Sequence, residues 1–272
     1  MAEEISDIQK AESEEKGGFK ELFEPWVRPA LIAGVGLAFL QQFIGTNTII
    51  YYAPKTFTSV GFGNSAAILG TVGIGAVNVI MTFVAIKIID RVGRKALLLF
   101  GNAGMVLSLI VLSVVNRFFF EGSTAAGWTT VICLGLFIVI FAVSWGPVVW
   151  VMLPELFPVH VRGIGTGVST FLLHTGNLII SLTFPALLSA IGISNLFLIY
   201  AVIGVGAFLF VKYLVTETKG KSLEEIEEDL KREIVPSQVA KGKRYEQWPA
   251  ACAAGFSMLN KRLIKKGHSL IF

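Results

Sequence analysis

Three carboxamides, Gln41, Gln42 and Asn47, stand in the stretch QQFIGTNTIIYY at positions 41–52, which two tyrosines, Tyr51 and Tyr52, close. The residues around them are built for lipid, and an uncompensated polar group in hydrocarbon is costly, so those retained face a cavity or another helix. An amide both donates and accepts hydrogen bonds, which matches the two-way demand of a hydroxyl. Asn78 adds a fourth amide, and Trp150 adds an aromatic face of the kind that packs on a sugar ring. No acid or base lines up with these groups as an ion trap. The set therefore points to a neutral polyol or sugar. The plainer alternative, hydrogen bonding between helices with no ligand, is the better account of isolated residues such as Asn102 and Thr183. His174 is the one ionisable residue near the middle of an apolar span, so it is a candidate proton-binding group. A neutral imidazole bonded between helices serves equally well, and a proton relay would need a titratable partner that these spans do not offer. Membrane catalysis built on His174 would also want a paired acid, base or nucleophile, so an enzyme is not expected.

Helix geometry sets a condition on the amides. At about 100° per residue, Gln41, Gly45 and Tyr52 fall within roughly 40° of one another. Gln42 lies about 100° away, and Asn47 about 120° to the other side. A straight helix cannot aim all of them at one small site. Either they serve different neighbours, or the helix breaks near Gly45-Thr46-Asn47. Secondary transporters build mid-membrane sites from such broken helices. Gly146-Pro147, flanked by Ser144, Trp145 and Trp150, would break a second span, because proline removes a backbone donor and glycine tolerates the bend.

The elements that must carry these residues follow from composition. The chain is 54% hydrophobic and only 15% charged, against about 25% charged in a soluble domain. Its mean hydropathy is +0.70. The charge is confined to the N-terminus, to short loops and to the region after about residue 212, so this is an integral, multi-pass membrane protein whose solvent is the bilayer. A span needs about 20 mostly apolar residues, and six are expected, at roughly 29–53, 65–89, 96–116, 128–152, 164–190 and 195–215. The third and sixth carry little polarity and are expected on the periphery.

Basic residues alternate in density between loops. Lys87, Arg91, Arg94 and Lys95 follow the second span, His160 and Arg162 the fourth, and Lys212, Lys219 and Lys221 the sixth. The Lys/Arg-rich side is cytoplasmic, which places both termini inside the cell membrane. The net charge of +4 then reports topology, and nucleic acid is not an expected partner. Residues 1–28 read as a cytoplasmic linker segment without the basic start and apolar core of a signal peptide. Residues 29–215 form the six-helix transmembrane domain. Residues 216–233 read as a cytoplasmic helix, with Ser222 and Glu225 at capping-box spacing. Residues 234–272 form a basic tail without helical period, expected to be unstructured. Cys133 and Cys252 offer no disulfide framework, and no metal or cofactor is called for.

Five pieces of the chain, in order, are similar to the sugar-porter family of the major facilitator superfamily: QQFIGTN…YY at 41–52, GxxN at 75–78, DRVGRK at 90–95, WGPVVWVMLPELFPVHVRG at 145–163 and ETKGKSLEEIE at 217–227. The match runs from about 19 to 233 and is to the C-terminal half, helices seven to twelve. The resemblance implies an all-α membrane fold, a six-helix bundle that is one half of a twelve-helix protein with a 3+3 inverted repeat. It implies transport of a pentose, hexose or inositol, with D-xylose the single best expectation, coupled to protons. Gln41, Gln42, Asn47 and Asn78 would bond sugar hydroxyls, Trp150 would stack on the ring, and Tyr51 and Tyr52 would form the outer gate. Arg91, Arg94, Glu155, Arg162 and Glu217 would form a cytoplasmic charge latch.

The chain also departs from that pattern. No N-terminal half is present, although in the family the substrate lies between halves and the coupling acid sits in the first helix. An N-terminal half is therefore an expected partner. His174 stands where several relatives carry tryptophan, and Ala142 where some carry glutamate. The tail after 233 matches nothing in the family. A truncated or frame-disrupted gene product would account for both ends, and a membrane protein that does not transport is the alternative reading.

Overall fold

The computed structural model describes residues 18–59, 64–118, 124–220 and 225, the side chains of Tyr52, Lys55, Thr56, Ser59, Asn64, Ala66, Ala67, Thr124, Ala125 and Ala126 excepted. Seven α-helices carry the described residues: α1 (Arg28–Phe43), α2 (Thr46–Ser59), α3 (Asn64–Val92), α4 (Arg94–Phe118), α5 (Thr124–Val143), α6 (Trp145–Leu156) and α7 (Arg162–Leu214). Short 3₁₀ turns at Glu21–Phe23 and Val159–Val161 precede α1 and α7. No strand occurs among the described residues.

Five runs are long and apolar enough to cross a membrane: Arg28–Tyr51, Ile68–Val92, Arg94–Phe118, Gly127–Leu156 and Val159–Leu214. The last has 56 residues. As one straight helix it would reach about 84 Å, far beyond a hydrocarbon core of about 30 Å. It divides at Gly192, whose φ of 75° and ψ of 163° lie outside the helical region. Two arms result, 162–191 and 193–214, over the ranges expected for the fifth and sixth spans. The expected break in the fourth span lies slightly earlier than Gly146-Pro147. Ser144 (φ −117°, ψ −94°) separates α5 from α6. Pro147 then falls in the first turn of α6, where a missing N–H costs no helical bond.

Lipid gives helices no hydrophobic reason to associate, so close approach and polar bonds must do so. Both are present. The ring of Phe157 fills the space where a Cβ on Gly34 or Gly165 would lie, which lets α1 and the first arm of α7 converge on it. The fully buried indole of Trp145 donates from Nε1 to the Leu98 carbonyl at 3.0 Å. The second arm of α7 is fastened to α4 at two places. Asn102 Nδ2 donates to the Gly204 carbonyl at 2.7 Å. Ser113 and Ser194 exchange hydroxyl-to-carbonyl bonds of 2.8 and 2.6 Å. Each such bond is worth on the order of 0.6 kcal/mol in a membrane helix pair. α3 is the least enclosed span, with Ile68, Leu69, Val72, Ile80 and Phe83 all exposed.

The segment before α1 is docked rather than loose: Leu22 and Val27 are fully buried, and Trp26 packs its ring against His160 at 5.2 Å. After α7, residues 215–218 run without helix and 219–220 turn. The helix expected over 216–233 is therefore absent from its first residues, and nearly all of the rest, with the tail, lies outside the described residues.

Candidate functional site

The backbone breaks between α1 and α2. The Ile44 N–H still bonds the Leu40 carbonyl at 3.1 Å, and the Ile49 N–H already bonds the Gly45 carbonyl at 3.1 Å. Between them Gly45 adopts φ +97°, a region that L side chains rarely enter. The turn re-aims the chain, and the three amides meet across it. Asn47 Nδ2 donates to Gln42 Oε1 at 3.0 Å. Gln42 Nε2 reaches Gln41 Oε1 at 3.5 Å. Gln41 Nε2 donates to the backbone oxygens of Trp145 at 2.8 Å and Gly146 at 3.3 Å. Gln41 is thus buried, 3% exposed, and its donors are spent on α6. Gln42 and Asn47 are half-buried.

The first arm of α7 passes beside them. A Cβ on Gly176 would lie 3.5 Å from Gln42 Cβ. On this arm Thr170, His174, Asn177 and Ser181 recur at helical spacing along one face. Asn177 Oδ1 accepts from Ser181 Oγ at 3.2 Å, and Ser181 Oγ lies 3.2 Å from the Tyr51 hydroxyl. Tyr51 is 48% exposed, and its ring is 5.9 Å from that of Phe184. α2 is thereby tethered to α7 at the end of the polar stripe. Trp150, also 48% exposed, stands 6.4 Å from the exposed His174, with the two rings tilted by 50°.

The site residues expected from sequence are not all joined. Gln41, Gln42 and Asn47 form one bonded chain, and Trp150 and His174 form an aromatic pair. Among the described residues Asn78 meets none of them. It is half-buried on α3, and its backbone carbonyl takes the Thr82 hydroxyl at 2.8 Å.

The charged residues lie at the opposite ends of these helices and separate in the same way. Arg94 Nη2 pairs with Glu155 Oε1 at 3.2 Å and with the exposed Asp90 at 3.1 Å. Glu155 Oε2 takes the Thr218 hydroxyl at 2.6 Å. Among the described residues Glu217 pairs with no arginine side chain. Its two carboxylate oxygens accept the Arg94 and Lys95 backbone N–H groups at 3.0 Å each, which caps α4 where unpaired N–H groups and the helix dipole favour negative charge. Arg91 is exposed, and its carbonyl accepts from Lys219 Nζ at 2.5 Å. Arg162 Nε and Nη2 are buried with no partner among the described residues. Arg94, Glu155 and Glu217 therefore form one joined group that Arg91 touches only by its backbone and that Arg162 does not enter.

One contact behind the site was not anticipated. Thr48 Oγ1 donates to the Tyr200 hydroxyl at 2.9 Å, both residues being buried. The sixth span is thus not merely peripheral, because its tyrosine reaches the broken helix. No local pattern signals a pairing across 152 positions, whereas the spacing of Thr170, His174, Asn177 and Ser181 carries a signal of the α7 stripe that was not among the expectations from sequence.

Residues 1–230 match the family model described as "Sugar (and other) transporter". A putative metabolite transport protein of Bacillus subtilis, YwtG, is 78% identical over 229 residues, which are 84% of this chain and 50% of that protein. A D-xylose transporter of Levilactobacillus brevis is 46% identical over 228 residues, again 84% and 50%. The solved structure of the proton:xylose symporter XylE of the major facilitator superfamily, bound to 6-bromo-6-deoxy-D-glucose, superposes with a TM-score of 0.66 at 34% identity, covering 74% of this chain and 42% of that one. The chain spans about half the length of the curated relatives it matches.

Proposed function

The chain belongs to the sugar (and other) transporter family, and from that premise we propose that it works as the C-terminal half of a major facilitator sugar transporter. In this reading α1–α2, α3, α4, α5–α6 and the two arms of α7 make six membrane passes, with the Lys/Arg-rich loops and both termini in the cytoplasm. A second, N-terminal half closes the site and covers the exposed apolar face of α3.

The observation that carries the reading is the amide chain at the Gly45 break. Gln41 pins the chain to α6, and Gln42 and Asn47 lie against the polar stripe of α7. On the described residues Asn47 Oδ1 has no partner, and the Gln42 and Asn47 NH₂ groups, each making one bond, retain a donor. Such groups bind hydroxyls. No carboxylate or fixed cation stands among them, which suits an uncharged ligand. Trp150 offers an aromatic face for the sugar ring, with His174 beside it, and Asn78 approaches from α3 once the second half is in place. Tyr51 and Tyr52 act as the outer gate. The Arg94–Glu155–Glu217 group, with Arg91 and Arg162 at its margin, latches the cytoplasmic end.

A pentose or hexose, with xylose first, is favoured by the D-xylose transporter and the proton:xylose symporter among the relatives. The second also supports coupling to protons, with His174 as the candidate proton-binding group on this chain. The test is uptake of labelled xylose, glucose and inositol by transport-deficient cells that express this chain alone or with the N-terminal half of the 78% identical relative. Uptake by the pair and not by either part is expected. A correctly inserted pair that moves none of the three sugars would reject the reading.

A further inference from the structure

We propose that Tyr200 is a positioning residue of the amide site, holding the α1–α2 turn in register through its ring and its hydroxyl; the inference rests on the sugar-site reading above. Tyr200 is 2% exposed and Thr48 fully buried, so neither can touch a ligand directly. Yet Tyr200 contacts both sides of the break. Its ring lies against Gly45, with Cγ 3.1 Å from the place a Cβ would occupy, where the backbone is at φ +97°. Its hydroxyl takes the Thr48 hydroxyl proton at 2.9 Å, in the first turn of α2. Asn47 sits between those two contacts, and Gln42 sits three residues before the first. The 3.0 Å bond from Asn47 to Gln42 spans the turn that Tyr200 holds.

The platform behind Tyr200 is fixed by bonds outside the amide chain. Six residues earlier Ser194 is bonded reciprocally to Ser113, and four residues later the Gly204 carbonyl is bonded to Asn102. Both anchors are on α4, which places no residue in the amide chain. The turn is therefore referenced to bonds that none of the three amides makes. That is the arrangement a site needs when its geometry must be kept while α2 carries a gate residue, Tyr51, at its exposed side.

Tyr200→Phe keeps the ring on Gly45 and removes the hydroxyl. Thr48→Val removes the other partner at equal size, and Thr48→Ser keeps it. Hydrogen exchange of the full chain in lipid nanodiscs reads the turn without any sugar. Amides 46–50 are expected to exchange about fivefold faster in Tyr200→Phe and in Thr48→Val, as the loss of one buried hydrogen bond implies. The double variant is expected to add nothing further, Thr48→Ser to exchange as the parent does, and amides of the 193–214 arm to hold their rates. With the N-terminal half present, KM for sugar is expected to rise about fivefold with kcat nearly unchanged. Unchanged exchange at 46–50, or faster exchange spread over the whole arm, overturns the proposal. A faster-exchanging turn with unaltered KM overturns the positioning role. Should the pair transport no sugar, the transport reading fails, while the exchange result still decides whether Tyr200 holds the turn.

Discussion

Gln41 on α1 donates to the backbone oxygen of Trp145 on α6 at 2.8 Å, so the first amide of the site is also the bolt between two helices. Trp145 is in turn fixed by its indole to Leu98 of α4. The chain Asn47–Gln42–Gln41–Trp145–Leu98 therefore runs from the half-buried amides to the interior of the bundle. Each member takes its orientation from the next, which restricts the rotamers open to Gln42 and Asn47.

Gln41→Glu is expected to destabilise more than Gln41→Ala. Alanine leaves the Trp145 and Gly146 oxygens short of a donor, at about 1–3 kcal/mol. A carboxylate in the same place sets an acceptor against two acceptors and is buried as well. The melting temperatures of the two variants in one detergent check the order. Equal or reversed values would show that the Gln41 donors do not matter.

Gly45→Ala is expected to cost about 1–3 kcal/mol, through backbone strain at φ +97° and the nearby Tyr200 ring. Gly73→Ala is the control, since nothing lies within 4 Å of its added Cβ and alanine favours helix. Thermal unfolding monitored by tryptophan fluorescence should separate them, the first falling and the second holding or rising. A Gly45→Ala protein as stable as its parent would mean that the turn is not constrained.

Glu217→Ala removes the cap of α4 and is expected to cost about 0.5–2 kcal/mol, like the loss of a local N-cap. Glu217→Gln keeps an acceptor but loses the charge at the helix N-terminus, so it should fall between, with a deficit that shrinks in high salt. If Glu217 instead served by pairing with an arginine, Gln would be as damaging as Ala. Melting curves at low and high salt distinguish the two.

Much of the architecture could be read before any coordinates because lipid makes simple demands. A span needs a certain apolar length, and the runs at 96–116 and 164–190 meet it openly. The break at Gly45 was foreseeable from angles alone, since Gln41, Gln42 and Asn47 cannot share one face of a straight helix. The partners were not foreseeable. Gln41 uses its donors on a main-chain oxygen 104 positions away, and a backbone acceptor leaves no mark in sequence. Glu217 chose two backbone amides over the arginines beside it, because α4 begins at that point with its N–H groups unpaired. Tyr200 is one aromatic in an apolar span, with nothing in its neighbours to mark it. Its role depends on the kink at Gly192, which turns the second arm back across the bundle.

The central claim is that Gln42 and Asn47, joined across the Gly45 turn, hold sugar hydroxyls. It is tested most directly by the xylose affinity of this chain reconstituted with an N-terminal half, for the parent, Gln42→Ala and Asn47→Ala. Both residues are half-buried, so stability should change little. Each substitution removes one or two hydroxyl contacts and is expected to weaken binding about tenfold or more. Parent-like affinity in both variants, with the pair intact by size-exclusion chromatography, would contradict the account.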